Sequence, residues 1–176
     1  MAALLSDENI ILRAPEHSDI SSFMIWENDT AAWRDSSTLA PMSRRQLWDY
    51  IENYDGDIFA ARQLRLIIEE KATGDVVGAV DLFDFDPINN HCQLGLYISR
   101  DFRGKGYAKS AVVLIQSYAF RFLHIHQLMV IVGEDNAHSI VIFKALNYDM
   151  VALLPHRLRR PVGYIAAYLF SKINTE

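Results

Sequence analysis

Apolar and polar positions alternate along this chain with two periods, one typical of strands and one typical of helices. Alternating or continuous apolar runs bounded by turn residues predict strands at 9–14, 59–70, 76–86, 91–99, 127–133, 148–154 and 162–171. Apolar positions at helical spacing predict helices within 17–29, 44–54, 107–122 and 136–146.

Capping residues and an apolar stripe support the helix assignments. Ser18 or Asp19 is placed to cap the first helix, and Ser43 with Gln46 has the spacing of a capping box before the second. The third helix carries a one-sided apolar stripe, which consists of Ala108, Ala111, Val112, Ile115, Ala119 and Phe122.

The order of these elements predicts a single domain, residues 1–176, of the α+β class. Turns at 72–75 and 87–90 separate three consecutive strands, and such a meander is most simply antiparallel. Residues 91–132 read as strand, helix and strand, which predicts a right-handed parallel crossover.

Composition and charge narrow the functional classes. Of the 176 residues, 51% are apolar and 22% are charged, which is ordinary for a globular enzyme. The formal net charge of −5, without a long basic run, argues against general binding of nucleic acid. No apolar run approaches the roughly 20 residues of a membrane span, and "MAALLSDEN" lacks the cationic start of a signal peptide. We therefore expect a cytoplasmic protein without nucleic-acid or membrane partners.

The single cysteine and the histidines indicate neither disulfide nor metal chemistry. Cys92 lies in a predicted strand and has no cysteine partner, so we expect a small buried side chain. His124 and His126 have no Cys or carboxylate at ligand spacing, so no metal site is predicted.

The segment that joins a predicted strand to the third helix carries the strongest chemical signal. Gly104 and Gly106 allow a sharp turn and a close approach of the backbone to a ligand. The first helical turn offers free N–H groups to an anion, and Arg103, Lys105 and Lys109 add positive charge. A phosphate-bearing ligand is expected.

Two common phosphate-binding motifs are excluded. A P-loop is excluded because Lys105 is followed by glycine, and the dinucleotide fingerprint is excluded because residue 109 is lysine.

The sequence Arg103-Gly104-Lys105-Gly106-Tyr107-Ala108 has the pattern R-x-x-G-x-A and resembles the pyrophosphate loop of the GNAT superfamily of acetyl-CoA-dependent N-acyltransferases. The order of predicted elements is similar to that superfamily along nearly the whole chain. "EDNAHSIVIFKALNYDMV" resembles its asparagine-led helix. The "WEND" helix and the length are most similar to bacterial spermidine N-acetyltransferases and ribosomal-protein N-terminal acetyltransferases. The resemblance implies a mixed, mostly antiparallel central sheet with helices on both faces.

The resemblance also implies a binding site for acetyl-CoA. The backbone of Leu96, Tyr97 and Ile98 would pair with the pantetheine arm and direct an N–H at the thioester carbonyl, where it stabilises the developing oxyanion. The amides of residues 103–108 would hold the pyrophosphate, with Lys109 at the rim.

The asparagine-led helix would contribute to the same site. Asn136 would contact the pantetheine arm and also cap its helix, since one residue can do both. Ser139 lies one turn further along, and Phe143 would pack against CoA.

Two positions depart from the superfamily's pattern. Phe143 stands where many members have a tyrosine that protonates the leaving CoA thiolate, and Gln93 stands where spermidine-type relatives tend to have glutamate. A general acid commonly contributes about 10²–10⁴-fold to the rate. Tyr97, Tyr148, Tyr164 or solvent remain as alternative proton donors, although Tyr148 reads as a core residue.

The acceptor amine requires a group that removes its proton. A lysine-like amine with a pKa of about 10.4 is neutral in only about one molecule in 10³ near pH 7. Candidate carboxylates are Glu27, Asp81, Asp84 and Glu134. Asp81 and Asp84 are an odd number of residues apart and are expected on opposite faces of their strand. Asp81 is favoured because it interrupts an apolar stretch.

The region around the first helix is the expected acceptor wall. By resemblance, Trp26, Glu27, Trp33 and Asp81 would contact the acceptor, and aromatic rings with carboxylates suit an ammonium group through charge pairing and cation–π contact. The alternative is that the two tryptophans anchor a loop to the core and do not contact the acceptor.

The leading hypothesis is an N-acetyltransferase that moves an acetyl group from acetyl-CoA to a primary amine in a ternary complex. The acceptor is expected to be a polyamine or a protein N-terminus. The alternative is a non-catalytic module that binds CoA or acetyl-CoA, which Phe143 and Gln93 keep open. The final strands, with "VGYIAAYLF", either present an apolar edge for a homo-oligomer or belong to the core.

Overall fold

One seven-stranded sheet organises the chain. The structure, a computed structural model, describes residues 4–35 and 38–175, so the start of the "MAALLSDEN" segment lies outside it. The strands are β1 (Ile10–Arg13), β2 (Leu64–Glu70), β3 (Val76–Asp86), β4 (His91–Ile98), β5 (Gln127–Gly133), β6 (Asp149–Arg159) and β7 (Tyr164–Ile173). The helices are α1 (Ile20–Trp26), α2 (Arg44–Glu52), α3 (Ile58–Ala61), α4 (Tyr107–Arg121) and α5 (Ala137–Ala145), with 3₁₀ turns at His17–Asp19, Ala32–Asp35 and Arg100–Phe102.

The strands lie in the order β1-β2-β3-β4-β5-β7-β6. β1 to β4 are consecutive antiparallel neighbours, which confirms the predicted meander. β5 is parallel to β4 after the crossover through α4, and β7 inserts antiparallel between β5 and β6. The expected α+β class with a mixed, mostly antiparallel sheet is confirmed.

Helices cover both faces of the sheet, and each face has its own apolar core. On one face, which we name the α1–α2 face, these two helices contribute to a cluster that contains Trp26, Ile67 and Ala79. On the other face, α4 and α5 contribute to a larger cluster that contains Leu82 and Leu94. Side chains alternate between the two faces along each strand. Where β3 and β4 pair regularly, the face on which each side chain lies is therefore known.

The strand predicted at 59–70 is wrong in its first part, because α3 and a turn precede β2. The Asp57 carboxylate accepts hydrogen bonds from the N–H groups of Phe59 and Ala60 and so caps a single helical turn. Arg62 then adopts a left-handed backbone, with φ of 59°, and ends that turn. A side-chain cap of this kind outweighs the short apolar pattern that favoured a strand. β6 extends to Arg159, beyond its predicted end at 154, and β7 is shifted by two residues from the predicted 162–171.

The predicted caps and the apolar stripe are largely confirmed. Ser43 Oγ accepts from the Gln46 N–H and Gln46 Oε1 accepts from the Ser43 N–H, as a capping box requires. Asp19 occupies the N-cap position of α1, but its carboxylate binds Arg13 and the Glu16 N–H instead of capping α1. Phe122 is 59% exposed rather than part of the buried stripe, because α4 ends one residue earlier.

Regular alternation would place Asp81 and Asp84 on opposite faces of β3, but the strand is irregular at Asp84. The pairing of β3 with β4 becomes irregular between Phe83 and Asp86, and Asp84 has a φ of 51°. Its carboxylate accepts a hydrogen bond of 2.8 Å from Gln93 Nε2. The alternation rule applies only to regular strand, and this irregularity interrupts it.

Candidate functional site

The sheet opens between β4 and β5. The two strands pair only from His91 to Gln93 and from Gln127 to Met129. β5 continues to Gly133 while paired with β7 on its other side, and β4 continues to Ile98 while paired with β3. A wedge-shaped gap, lined by backbone of both strands, therefore begins just beyond Gln93.

Beyond Gln93, every second residue of β4 directs its backbone N–H and C=O groups into this gap. Ser99 donates its N–H to the carbonyl of Val77 on β3. Because successive N–H groups alternate between the two sides of a strand, Tyr97 also points at β3, whereas Leu96 and Ile98 point at β5. Of the three backbone positions expected at the pantetheine arm, Leu96 and Ile98 therefore present their N–H groups to the gap.

The glycine loop lies at the end of β4, where the gap is expected to be widest. Gly104 and Gly106 have φ of 77° and 89°, in the left-handed region that glycine adopts without strain, and a Cβ added at either position would have no atom within 4 Å. The first hydrogen bonds of α4 run from the N–H groups of Lys109 and Ser110 to the Gly106 carbonyl. The N–H groups of Tyr107 and Ala108 precede them and are the ones that a helix start offers to an anion.

Positive charge surrounds this loop. Arg103 Nε donates to the Ile98 carbonyl at 3.0 Å, which ties the loop to the strand end. Lys105 Nζ lies 5.0 Å from the centre of the Phe102 ring, and Lys109 is exposed on the first turn of α4. Tyr107 is an exception among the loop residues, because it is buried and its hydroxyl donates to Glu70.

A cavity of about 460 Å³ lies beside the loop and the end of β5. Its lining includes three arginines, Arg34, Arg103 and Arg160, together with His138. The remaining lining residues are Ala31, Asp135, Asn136 and Ala137. A cavity with this charge is suited to a polyanionic ligand.

Arg160 joins three segments across this cavity. Its guanidinium donates to both carboxylate oxygens of Asp135, at 2.7 and 2.9 Å, and to the carbonyl of Arg34 at 2.9 Å. The segment between α1 and α2, the end of β5 and the β6–β7 hairpin are thereby held together. Its position beyond the end of β6 gave no signal in the sequence.

Asn136 and Ser139 meet at the start of α5. The Asn136 side chain accepts a hydrogen bond of 3.1 Å from the Ser139 N–H, which confirms the cap. Phe143 is buried, with its ring 5.2 Å from that of Tyr148 and 6.0 Å from that of Phe170. Contacts of these three side chains with CoA remain predictions.

The cap makes Asn136 a structural as well as a candidate binding residue, and two substitutions separate the roles. Asn136→Ala is expected to lower the free energy of unfolding by about 1 kcal/mol, whereas Asn136→Ser keeps a capping oxygen and should leave it within a few tenths. Urea denaturation measures both. Equal stability of the alanine variant and the wild type would contradict the cap. Weaker acetyl-CoA binding by the stable serine variant would support the contact with the pantetheine arm.

Glu27 and Asp81 come together on the α1–α2 face, but Arg65 joins them. Arg65 Nη1 donates to Glu27 Oε1 at 2.9 Å, and Arg65 Nε donates to Asp81 Oδ1 at 2.6 Å. The three side chains are between 16% and 23% exposed. Burial opposes the charge of Arg65, but Asp81 and Glu27 outweigh it and raise its pKa, so the group remains a cation.

The other acceptor candidates lie in two places. The Trp26 ring is buried and lies 5.5 Å from the Tyr97 ring, and Trp33 Nε1 donates to the Glu27 carbonyl at 2.7 Å. Both tryptophans thus hold the end of α1 in position on this face. Glu134 lies away from this cluster, at the end of β5, where its carboxylate accepts the N–H of Ala166 at 2.9 Å.

Tyr97 and Tyr148 are two of the alternative proton donors. Burial raises the pKa of Tyr97 and, more strongly, that of Tyr148, so both remain protonated at neutral pH. Tyr148 is a core residue as expected, and no described residue is a hydrogen-bond partner of its hydroxyl. Burial also raises the pKa of the Cys92 thiol to about 12, which confirms an unreactive buried cysteine.

Sequence reasoning missed Arg65, although a signal for it was present. Arg65 interrupts an apolar strand just as Asp81 interrupts the next one, and the two residues are nearly equidistant from the turn at 72–75. An antiparallel hairpin about that turn brings them opposite each other, as the observed register does. A search for charges paired across the hairpin would have found this ion pair.

Residues 4–35 and 38–175 contain neither a candidate metal site nor a candidate membrane span. No group of three or more His, Cys, Asp or Glu side chains is placed there to hold a metal ion. No helix in that part of the chain is long and apolar enough to span a bilayer.

The chain matches one family model and several individual proteins. Residues 9–148 match the family model described as "Acetyltransferase (GNAT) domain". The chain is 28% identical over 103 residues to spermidine N(1)-acetyltransferase of Escherichia coli K12, an alignment that covers 58% of this chain and 54% of that protein. The chain thus spans about half the length of this relative. It is 24% identical over 172 residues to the uncharacterized N-acetyltransferase p20 of Bacillus licheniformis, covering 98% and 97% of the two chains.

The fold is similar to that of a solved structure. The crystal structure of spermidine N-acetyltransferase from Vibrio cholerae in complex with CoA and spermine superposes with a TM-score of 0.84. The superposition covers 96% of this chain and 98% of the other, at 18% sequence identity. At that level of identity, the similarity establishes the fold.

Proposed function

The chain belongs to the GNAT acetyltransferase family, and from this we propose that it transfers the acetyl group of acetyl-CoA to a primary amine. The observation that carries the proposal is the gap between β4 and β5, which ends at the glycine loop and the start of α4. The backbone N–H groups of Leu96 and Ile98, the two left-handed glycines and the nearby arginines suit an extended donor with a phosphate-bearing end.

The proposed reaction is a direct transfer in a ternary complex. The amine nitrogen attacks the thioester carbonyl carbon, and the N–H of Leu96 or Ile98 stabilises the negative charge that develops on the carbonyl oxygen. The C–N bond forms, the C–S bond breaks, the nitrogen loses a proton and the CoA thiolate gains one. Holding both substrates in place supplies much of the rate acceleration.

Two classes of acceptor are compatible with this reaction. The names of the relatives support a polyamine, since two of those described above are spermidine acetyltransferases. The similarity of the "WEND" helix to ribosomal-protein acetyltransferases supports a protein N-terminus. Glu27 and Asp81 on the α1–α2 face are the candidate groups that receive the ammonium form or its proton.

A non-catalytic module that binds acetyl-CoA is the second candidate. It is favoured by Phe143, which is buried and has no proton to give where many family members have a tyrosine. Such a module would keep the gap and the glycine loop but would lack turnover.

The test combines binding with turnover. Calorimetric titration with acetyl-CoA is expected to give a dissociation constant in the micromolar range. Thiol release with a panel of amines, and mass spectrometry of the products, then detects acetyl transfer. Initial rates that fit a ternary-complex mechanism support the proposal, and binding without turnover supports the module. Absence of acetyl-CoA binding rejects both.

We further propose that the chain forms a homo-oligomer through β6. β7 lies inside the sheet, so "VGYIAAYLF" supplies core rather than an edge. β6 is one of the two edge strands, and its residues Met150, Val151 and Leu153 are more than half exposed. An apolar edge of this kind is suited to pairing with a second copy.

A charge placed on β6 is expected to break this oligomer. Val151→Glu would desolvate a carboxylate in the interface, so sedimentation velocity should show monomers where the wild type shows a larger species. Val113→Glu, on the exposed side of α4, is the matched control and should leave the assembly unchanged. A monomeric wild type, or loss of assembly in both variants, would contradict the role of β6.

A further inference from the structure

Three carboxylates on the acceptor side of the gap already have cationic partners within the chain. Arg65 contacts both Glu27 and Asp81, and Arg100 donates to both oxygens of Asp29, at 3.1 and 3.3 Å. Without these partners, the three acids would offer more negative charge to a positively charged acceptor. The net negative charge that is left to attract a cationic acceptor is therefore smaller than the acidic residues in the sequence indicate.

Arg65 is held firmly in this position. It lies on β2 directly opposite Asp81 in the register with β3. The Tyr54 hydroxyl donates to its carbonyl at 2.6 Å and accepts its N–H at 3.2 Å. Its guanidinium lies 5.8 Å from the Phe23 ring centre and 5.9 Å from that of Tyr50. Backbone, charge and aromatic contacts together fix the guanidinium between the two carboxylates.

The cluster of Glu27, Arg65 and Asp81 lies next to the proposed reaction site. Asp81 is paired across the sheet with Gly95, which belongs to the part of β4 that borders the gap. A Cβ on Gly95 would lie 3.7 Å from Asp81 Oδ2. An amine that approaches the gap from the α1–α2 face therefore comes close to this cluster.

The charge of the cluster matches a single ammonium group. Two carboxylates and one guanidinium leave a net charge of −1. A polyamine carries several ammonium groups, whereas the guanidinium of Arg65 already neutralises one of the two carboxylate charges. We propose that Arg65 restricts the acceptor to amines with one positive charge, and that the acceptor is the α-amino group of a peptide or protein.

The chemistry of an α-amino group fits the same site. Its pKa is about 7.7–8.0, so roughly one molecule in ten is neutral at pH 7, compared with about one in 10³ for a lysine-like amine. Glu27 and Asp81 are both engaged by Arg65, and Glu134 is engaged by the Ala166 amide. A site with its carboxylates so engaged works best with an acceptor that needs little help in losing a proton.

This inference rests on the proposed acetyl transfer, and its test compares two acceptors. The wild type is expected to acetylate a short peptide with neutral side chains with a kcat/KM at least about tenfold above that for spermidine. Arg65→Gln leaves a cluster of charge −2, so its KM for spermidine should fall about tenfold while that for the peptide changes little. Preference of the wild type for spermidine would overturn the inference but would leave acetyl transfer intact.

Control variants keep the test decisive if Arg65→Gln is unstable. The double variant Glu27→Gln/Arg65→Gln has the wild-type charge of −1 and should not gain spermidine activity. Glu27→Gln alone has no net charge, so it should raise the KM for the peptide several-fold with a smaller change in kcat. An unchanged KM in that variant would contradict the charge-matching role of the cluster.

Failure of the proposed function gives a different result from failure of this inference. If no amine is acetylated, the transferase proposal fails, and calorimetric titration of spermidine into the wild type and Arg65→Gln then decides the role of Arg65. Tighter binding to the variant by about tenfold supports that role, and equal affinity overturns it.

Discussion

Gly106→Glu is expected to reduce the affinity for acetyl-CoA by at least about a hundredfold. The carboxylate would project from the position that precedes α4, where the pyrophosphate is expected, and a like charge in such a contact costs several kcal/mol. Each 1.4 kcal/mol corresponds to a factor of about ten in affinity. The left-handed backbone adds strain of roughly 1–2 kcal/mol for a residue other than glycine. Isothermal titration of both proteins measures the effect.

Two controls separate charge from strain. Gly106→Asn has no charge and tolerates a left-handed backbone, so it should bind acetyl-CoA more tightly than the glutamate variant. Gly74→Glu places the same side chain on a backbone with φ of 75° and no atom within 4 Å of its Cβ, in the turn between β2 and β3. It should share the loss of stability but retain binding. Full binding by Gly106→Glu would exclude the loop as the anion site.

Leu96→Pro is expected to lower kcat by about 10²–10³-fold. Proline removes one of the two N–H groups proposed to face the thioester carbonyl, and loss of a single oxyanion donor has this magnitude. The N–H of Leu96 faces the gap rather than β3, so its loss breaks no hydrogen bond of the sheet. β4 behaves there as an edge strand, where proline is tolerated. Single-turnover acetylation, followed with saturating acetyl-CoA, measures the change.

Neighbouring substitutions control for packing and for folding. Leu96→Ala loses a similar amount of packing but keeps the N–H, so its kcat should stay within a few-fold of the wild type. Tyr97→Pro removes an N–H that faces β3 and should lower the free energy of unfolding by about 1–3 kcal/mol, the cost of a buried carbonyl left without its partner. Equal loss of kcat in the alanine and proline variants of Leu96 would show that packing, not the oxyanion donor, controls the rate.

Several elements could be predicted from the sequence because turn residues mark their ends. β3 and β5 have the predicted bounds because turns or caps flank them on both sides. The helical turn at 58–61 was missed because one capping aspartate decides it, while the apolar pattern there is the same for a strand. The exposure of Phe122 depends on where α4 ends, which a stripe of apolar residues does not determine.

The candidate site was predictable in part. The glycine loop and the Asn136 cap are local, so short motifs reveal them. The gap between β4 and β5 has no such signature, because a strand has the same apolar pattern whether or not a neighbour pairs with it. The Arg65 cluster depends on the register of two strands and on the packing of α1, which bring distant residues together. Long-range register of this kind requires the structure.

The division of β4 into two sides has a consequence for how such proteins diverge. The gap is bordered by main chain, which every amino acid except proline supplies with an N–H, so side-chain substitutions at Leu96 and Ile98 would leave the proposed donor contacts unchanged. The α1–α2 face instead presents Glu27, Arg65 and Asp81, where one substitution changes the charge offered to an acceptor. Sequences as distant as 18% identity share this fold. The proposed donor contacts therefore depend on the backbone of β4 and of the glycine loop, whereas the proposed choice of acceptor depends on these three side chains.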